Sequence, residues 1–291
     1  MTAPLSEADL ILNADGSVYH IGLRPEHLTD VILTVGDPDR VPKVSRYFDR
    51  IEARIERREF HAHIGQVGKQ RLMVISSGMG TDNVEILLTE LDMLANVDLV
   101  TRLAKDCFRK LTIIRIGTSG ALQATIPVDS YVVSRCVFGL DTLMHFYPLT
   151  MRVDEQQWAQ QLGEYLSLGF SPYCVGGADQ LLAQWAEKMR VGTTVTCPGF
   201  YAPQGRKMRI PPQIDQLPEK LARFRFSHDE SLTNFEMETS GYYALSRLLG
   251  HDAISLNAIL ANRATQEFSS QPAQTVDKLI QKVLENIETI R

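Results

Sequence analysis

Cysteine is scarce in this chain: Cys107, Cys136, Cys174 and Cys197 are the only four in 291 residues. They form no C-x-x-C pair and no grouping with histidine at metal-ligand spacing, so neither a disulfide framework nor a zinc motif is written into the sequence. Buried, reduced thiols are expected. Long apolar runs are missing too, and no stretch approaches the ~18 to 20 residues that cross a bilayer. The start, Met1-Thr-Ala-Pro-Leu-Ser-Glu-Ala-Asp9, lacks a basic segment followed by an apolar one. A cytoplasmic protein without membrane contact is expected. Positive charge is in deficit: 30 Lys and Arg against 35 Asp and Glu give a net charge of −5 and a pI near 5.8. That argues against a nucleic-acid partner held by general attraction to phosphate, so any anion site must be local. Neither repeats nor low-complexity segments occur.

What is present is ordinary globular composition, 44% hydrophobic and 22% charged, enough for one large α/β domain. The informative stretch is Leu111-Thr-Ile-Ile-Arg-Ile-Gly-Thr-Ser-Gly-Ala121. Its β-branched run reads as a buried strand that delivers Gly117-Thr-Ser-Gly120 to its carboxyl end, where ligands bind in open α/β sheets. Arg115 interrupts the run and needs an anion, since an unpaired buried guanidinium is penalised by several kcal/mol or more. Two partners fit: a carboxylate that ties two strands together, or a bound phosphate or carboxylate substrate with the Thr118 hydroxyl and the glycine N–H groups beside it.

Residues 1–27 read as irregular, with an isolated His20. Val31–Val35 is a compact strand followed by Gly36-Asp-Pro-Asp-Arg40 and a helical spacing through Val41, Val44, Tyr47 and Phe48. Such a helix start offers N–H donors to an anion, with Arg40 adding charge or pairing with Asp37 or Asp39. Antiparallel strands are expected at 51–55, 59–64 and 72–76, with Arg57, Arg58 and Glu59 on a solvated face. Ser77-Gly-Met-Gly-Thr-Asp-Asn83 is not a dinucleotide loop, because Asn83 stands where the third glycine belongs. Helices are expected at 82–96, 154–168, 178–190, 242–249 and 276–290. Further strands are expected at 131–138, 191–196 and 252–263. This alternation implies a mixed sheet covered on both faces. The loop 197–218 holds Phe200, Gln204 and Arg206, which can offer an aromatic face, an amide and a guanidinium to a ring with adjacent carbonyl and N–H groups. Glu236 and Glu238 flank Met237 at a helix start; a carboxylate there either meets the helix dipole or accepts hydrogen bonds from vicinal hydroxyls such as those of ribose.

Taken in order, Gly36-Asp-Pro-Asp-Arg40, Arg57-Arg-Glu-Phe60, Arg115-Ile-Gly-Thr-Ser-Gly120, Phe200-Tyr-x-x-Gln-Gly-Arg206, Asn234-Phe-Glu-Met-Glu-Thr239 and Asn262-Arg263 resemble the uridine phosphorylases of the nucleoside phosphorylase-I family, from about His20 to Phe268. The resemblance implies a single three-layer α/β/α domain with a mixed central sheet over residues 1–291, residues 1–19 being an N-terminal extension. It implies a pentosyltransferase in which Gly36, Arg40, Arg115 and Thr118 hold phosphate and Arg58 reaches in from a neighbouring subunit. Met237 and Glu238 would hold the ribose hydroxyls, with the neighbour's His20 near the 5′ hydroxyl. Phe200, Gln204 and Arg206 would take the uracil ring, with Gly120 along its edge. Arg115, Gln204, Arg206 and Glu238 would carry the chemistry, in a homo-oligomer that is a dimer at minimum or a hexamer. No metal or organic cofactor is implied, and a monovalent cation near Glu59 and Ser76 is a family possibility. The family's purine enzymes carry an Asp where this chain reads Ala261-Asn-Arg263, which disfavours purines. Ala202-Pro203 and Gly205 depart from the bacterial uridine pattern, and the preference among uridine, deoxyuridine and thymidine is open. A water-using nucleosidase and a non-catalytic nucleoside-binding protein are the rival classes; the first has little use for three arginines around an anion.

Overall fold

The computed structural model describes residues 3–289. The strands are β1 (Val31–Val35), β2 (Arg50–Arg57), β3 (Phe60–Val67), β4 (Gln70–Ser76), β5 (Thr112–Ala121), β6 (Tyr131–Gly139), β7 (Tyr173–Gly176), β8 (Arg190–Thr196), β9 (Arg225–Phe226), β10 (Glu230–Ser231), β11 (Asn234–Glu236), β12 (Asp252–Asn262) and β13 (Glu267–Phe268). The helices are α1 (Val41–Ser45), α2 (Thr81–Asn96), α3 (Val153–Leu166), α4 (Asp179–Ala186), α5 (Leu217–Arg223), α6 (Thr239–Leu249) and α7 (Pro272–Leu284). All strands except the small β9–β10 hairpin belong to one mixed sheet, the α/β class expected.

The sheet is organised around β5, as its β-branched run suggests. Along one edge β5 pairs with β12 in parallel from Thr112 to Ala121. Along the other edge it changes partner. Thr112–Arg115 pair in parallel with β1, whereas Gly120 and Ala121 pair antiparallel with β11. Because β11 also pairs with β8, β8 with β6, and β6 with β12, the ring β5–β12–β6–β8–β11 closes on itself, and β1, β4, β3 and β2 extend from it as an open wing. The fork between β1 and β11 leaves one edge of Ile116–Ser119 without a strand neighbour. Such a switch point is where α/β sheets form ligand crevices.

Strand β5 runs on through Gly117-Thr-Ser-Gly120 to Ala121, so the small polar residues stand at its carboxyl end as expected. Glycine lets it pass. A Cβ on Gly117 would lie 1.9 Å from Nη1 of Arg115, so the guanidinium occupies the space over that residue. Other elements differ from the sequence reading at their ends. The first helix stops at Ser45, short of Tyr47 and Phe48, and α4 stops at Ala186 so that β8 can begin at Arg190. Strand β7 and helix α5 were not expected: one is only four residues long, and the other follows a proline-rich stretch in which Pro218 sits in the first turn. The last helix ends at Leu284, and its expected limit, Ile290, lies outside the described residues.

The helices cover the sheet. α2 buries Val84, Leu87, Leu88, Leu91 and Leu94, and α7 buries Val276, Leu279, Ile280 and Val283 at helical spacing. Cys136, Cys174 and Cys197 are buried as expected, but Cys107 is exposed, because the segment before β5 runs over the surface. No helix among the described residues is long and apolar enough to cross a membrane.

Candidate active site

A cavity of about 730 Å³ opens at the fork. Its floor is Arg115, Gly117, Thr118, Ser119 and Gly120 of β5; one wall is Gly36 to Arg40 after β1, and another is Glu236, Met237 and Glu238 after β11. Phe200, Gln204 and Arg206 line the far end. Strand β11 runs against β5, so its carboxyl end travels back toward Arg115. That is how residues more than a hundred positions apart meet.

Arg115 is buried, and both readings of it bear on the site. Nη2 lies 2.6 Å from Glu238 and 2.9 Å from Glu236. Nη1 donates to Asn257 Oδ1 at 3.0 Å and to Ser255 Oγ at 3.2 Å. The carboxylate partner is thus present, and it belongs to the same cavity. Burial works against the Arg115 charge, but Glu236 and Glu238 outweigh it and raise its pKa above the ordinary arginine value. Nη1 and Nη2 are both engaged by hydrogen bond or ion pair, and Nε–H has no partner among the described residues.

Glu238 accepts from Arg115 through Oε2 and from the Gly80 N–H through Oε1 at 2.9 Å. Burial lifts its pKa above the usual carboxylate value, and neighbouring Glu236 adds to the lift against the pull of Arg115. Glu236 is held harder, accepting from Thr196 Oγ1 at 2.6 Å and from the N–H groups of Glu238 and Thr239 at 2.9 Å each. The family resemblance assigned Glu238 and not Glu236 to the site. Its spacing from Glu238, with Thr239 starting a helix, was the available signal.

Arg40 forms no ion pair with Asp37 or Asp39 among the described residues; its Nη1 donates to the Ile116 carbonyl at 3.4 Å. Burial lowers its pKa, an effect that Asp37 opposes and Arg115 reinforces. A desolvated guanidinium with donors left over shares the cavity with the Thr118 hydroxyl, which has no hydrogen-bond partner among the described residues; such a pair can receive an oxyanion. At the opposite end Arg206 donates to Gln204 Oε1 at 2.7 Å and lies 3.6 Å over the Phe200 ring. Arg206 itself therefore covers one face of that ring, which was expected to be free for stacking. Burial and the nearby Arg263 both lower the Arg206 pKa. Asn262, at the position set against the purine enzymes' Asp, is buried and fully engaged: it donates to the carbonyls of Gln123 and Ile126 and accepts from the N–H groups of Ala264 and Thr265.

The sequence model of the Phosphorylase superfamily matches residues 30–290. The chain belongs to that superfamily. Among its relatives is the uridine phosphorylase of Thermococcus kodakarensis, 28% identical over 257 residues, a match covering 87% of this chain and 80% of that one. The uridine phosphorylase of Haemophilus influenzae is 26% identical over 272 residues, covering 92% and 96% respectively. A Trypanosoma brucei nucleoside phosphorylase described as showing uridine phosphorylase activity superposes with a TM-score of 0.89 at 27% identity, over 97% of this chain and all of that one.

Within this phosphorylase fold, Gly36, Arg40, Arg115, Thr118, Gly120, Phe200, Gln204, Arg206, Met237 and Glu238 share one cavity, and Arg58 and His20 do not line it. Those two sit together elsewhere, both against Tyr19. The Arg58 guanidinium is 5.6 Å from that ring centroid and the His20 ring 4.8 Å, while His20 Nδ1 is bound to Glu90 at 2.6 Å. Ser76 Oγ donates to the Glu59 carbonyl at 2.6 Å. The Ser77–Asn83 segment, rejected as a dinucleotide loop, contributes Gly78, Met79 and Asn83 to the cavity. Its G-x-G before a helix was the overlooked signal, since free N–H groups at a helix start attract anions; here Gly80 donates to Glu238.

Proposed function

We propose that this phosphorylase cleaves uridine with inorganic phosphate, giving uracil and ribose 1-phosphate. The observation that carries the reading is that two arginines from distant segments, Arg40 and Arg115, flank one cavity with Glu238 between the anion end and the Gln204–Arg206 end. Its named relatives include several uridine phosphorylases.

Phosphate sits against Arg40, the Arg115 Nε–H, Thr118 and the backbone at Gly36, and is aimed at C1′ of the nucleoside. Glu238 accepts hydrogen bonds from the ribose hydroxyls, and Met237 packs on the sugar. As the C1′–N1 bond lengthens, the electron pair moves onto the uracil ring. The Gln204 amide and Arg206 guanidinium meet that growing negative charge, favouring the transition state over the bound substrate. Phosphate oxygen then bonds to C1′. The reaction requires neither a metal nor an organic cofactor; a monovalent cation beside Glu59 and Ser76 would act on structure. Arg58 and His20 come from a second copy of the chain, a reading supported by their absence from the lining of their own cavity and their common place beside Tyr19.

An absorbance assay of uridine, thymidine and inosine, with and without phosphate, tests the reading. Uracil release that depends on phosphate is expected, with inosine untouched because Asn262 has no free group to serve a purine N7. Release without phosphate would make the protein a nucleosidase, and binding without release a carrier.

A further inference from the structure

The sheet has an edge that the proposed reaction leaves unused. β2 is its last strand, and beyond β3 the β2 backbone has no hydrogen-bond partner among the described residues. Unpaired N–H and C=O groups along such an edge are a template for another strand. The exposed positions of β2 carry Arg50, Glu52, Arg54 and Glu56 in strict alternation of sign, while Ile51, Ala53 and Ile55 between them are half-buried against the core. The β2–β3 ladder is irregular between Ile51 and Ala53, yet the alternation of faces runs on through it.

Charges of one sign would simply repel other strands. Alternating signs choose a register instead, because residues facing each other across an antiparallel pair attract or repel according to charge. Centring two copies of β2 on Arg54 sets that residue against itself and Glu52 against Glu56. Centring on Glu52 opposes Arg50 to Arg54. Centring on Ile55 joins Arg54 to Glu56 but carries Glu52 to Arg58, which sits in the hairpin turn at a φ of 52° and outside the strand. Centring on Ala53 alone satisfies the whole strand: Arg50 faces Glu56, Glu52 faces Arg54, and Ile51 faces Ile55 on the other side.

We propose that the β2 edge is an interface for a second copy of this chain, paired antiparallel about a two-fold axis at Ala53 so that two sheets become one. The occupant is a second copy because the charge pattern is its own complement. Arg54 and Glu56 have no ion pair within the chain among the described residues, whereas Glu52 is already ordered by Arg50 and Arg71 at 2.8 Å each. One strand pair buries far less than the ~1,600 Å² of a standard interface. The association is therefore weak, salt-sensitive and separate from any contact made through Arg58 and His20.

Sedimentation velocity of the full-length protein at about 50 mM and about 500 mM salt tests it, since added salt screens exposed charges. Wild type is expected to show a step that doubles the mass of its main species and fades at high salt. Arg54→Glu and Glu56→Arg each place like charges opposite one another at two symmetric positions, and each should weaken that step roughly tenfold. The double variant Arg50→Glu/Glu56→Arg re-forms the opposite-charge pairs only in the Ala53 register and should restore it. All these positions are exposed, so thermal melts should match wild type; if one single variant fails to fold, the other carries the test. Uracil release per site is expected to be unchanged. A wild type with no doubling step, single variants that associate like wild type, or a double variant as weak as Glu56→Arg alone would each overturn the proposal.

Discussion

Gly117→Ala separates the two roles open to Arg115. The added Cβ would stand 1.9 Å from Nη1, 2.5 Å from Cζ and 2.9 Å from Nη2 of Arg115, so the guanidinium must leave its place. Four contacts are at stake, two with neutral acceptors on β12 and two with Glu236 and Glu238. At about 1.5–3 kcal/mol for each contact made by a charged group, their sum is roughly 6–12 kcal/mol. A flexible side chain regains part of this in a new position, leaving a net loss of about 2–4 kcal/mol. If Nε–H also aims at phosphate, its misplacement removes a further charge-assisted bond of about 2–3 kcal/mol, a rise of roughly 30- to 160-fold in the phosphate concentration for half-maximal rate. Thermal melts and phosphate titrations of uracil release measure the two effects separately. Gly169→Ala, where an added Cβ meets nothing within 4 Å, is the control. A lowered melting temperature with unchanged phosphate dependence would leave Arg115 as a strand-tying cation only. Wild-type behaviour in both would refute the steric argument itself.

Gln204→Ala should raise the KM for uridine about tenfold or more, because it removes an amide donor and also releases Arg206 from its 2.7 Å bond; equal damage to phosphate binding would contradict its place at the base end. Asn262→Ala strips partners from two carbonyls and two N–H groups in a buried spot and should remove about 2–4 kcal/mol, a fall of several degrees in Tm; an unchanged melt would refute this. Glu155 is buried, and although burial raises its pKa, the paired bonds from Arg247 at 2.7 and 2.8 Å bring it below the ordinary value of 4.5. A carboxyl with a depressed folded-state pKa adds stability above its unfolded value and loses it as pH falls through the folded one. Urea melts of Glu155→Gln should therefore show a loss of about 2 kcal/mol at pH 7 that narrows below pH 4.5; a gap that stays constant into acid would contradict the assignment.

What the sequence could disclose follows from how local each cause is. β1, β5 and β12 were legible because each is dominated by aliphatic residues, and α2 and α7 because their apolar residues recur at helical spacing. Arg115 was legible as a problem, a charge inside such a run, but not as a solution. Its partners lie 121 and 123 residues on, and only the reversed direction of β11 brings them over β5. The glycines were legible as the carboxyl end of β5, but the side chain that fills the space over Gly117 is recognisable only in three dimensions. Short β7 and the proline-led α5 carry too little pattern to register. The fork itself was beyond reach. It depends on β5 exchanging one neighbour for another within four residues, and that exchange is what leaves one edge of Ile116–Ser119 open at the cavity beside the Glu236–Glu238 pair.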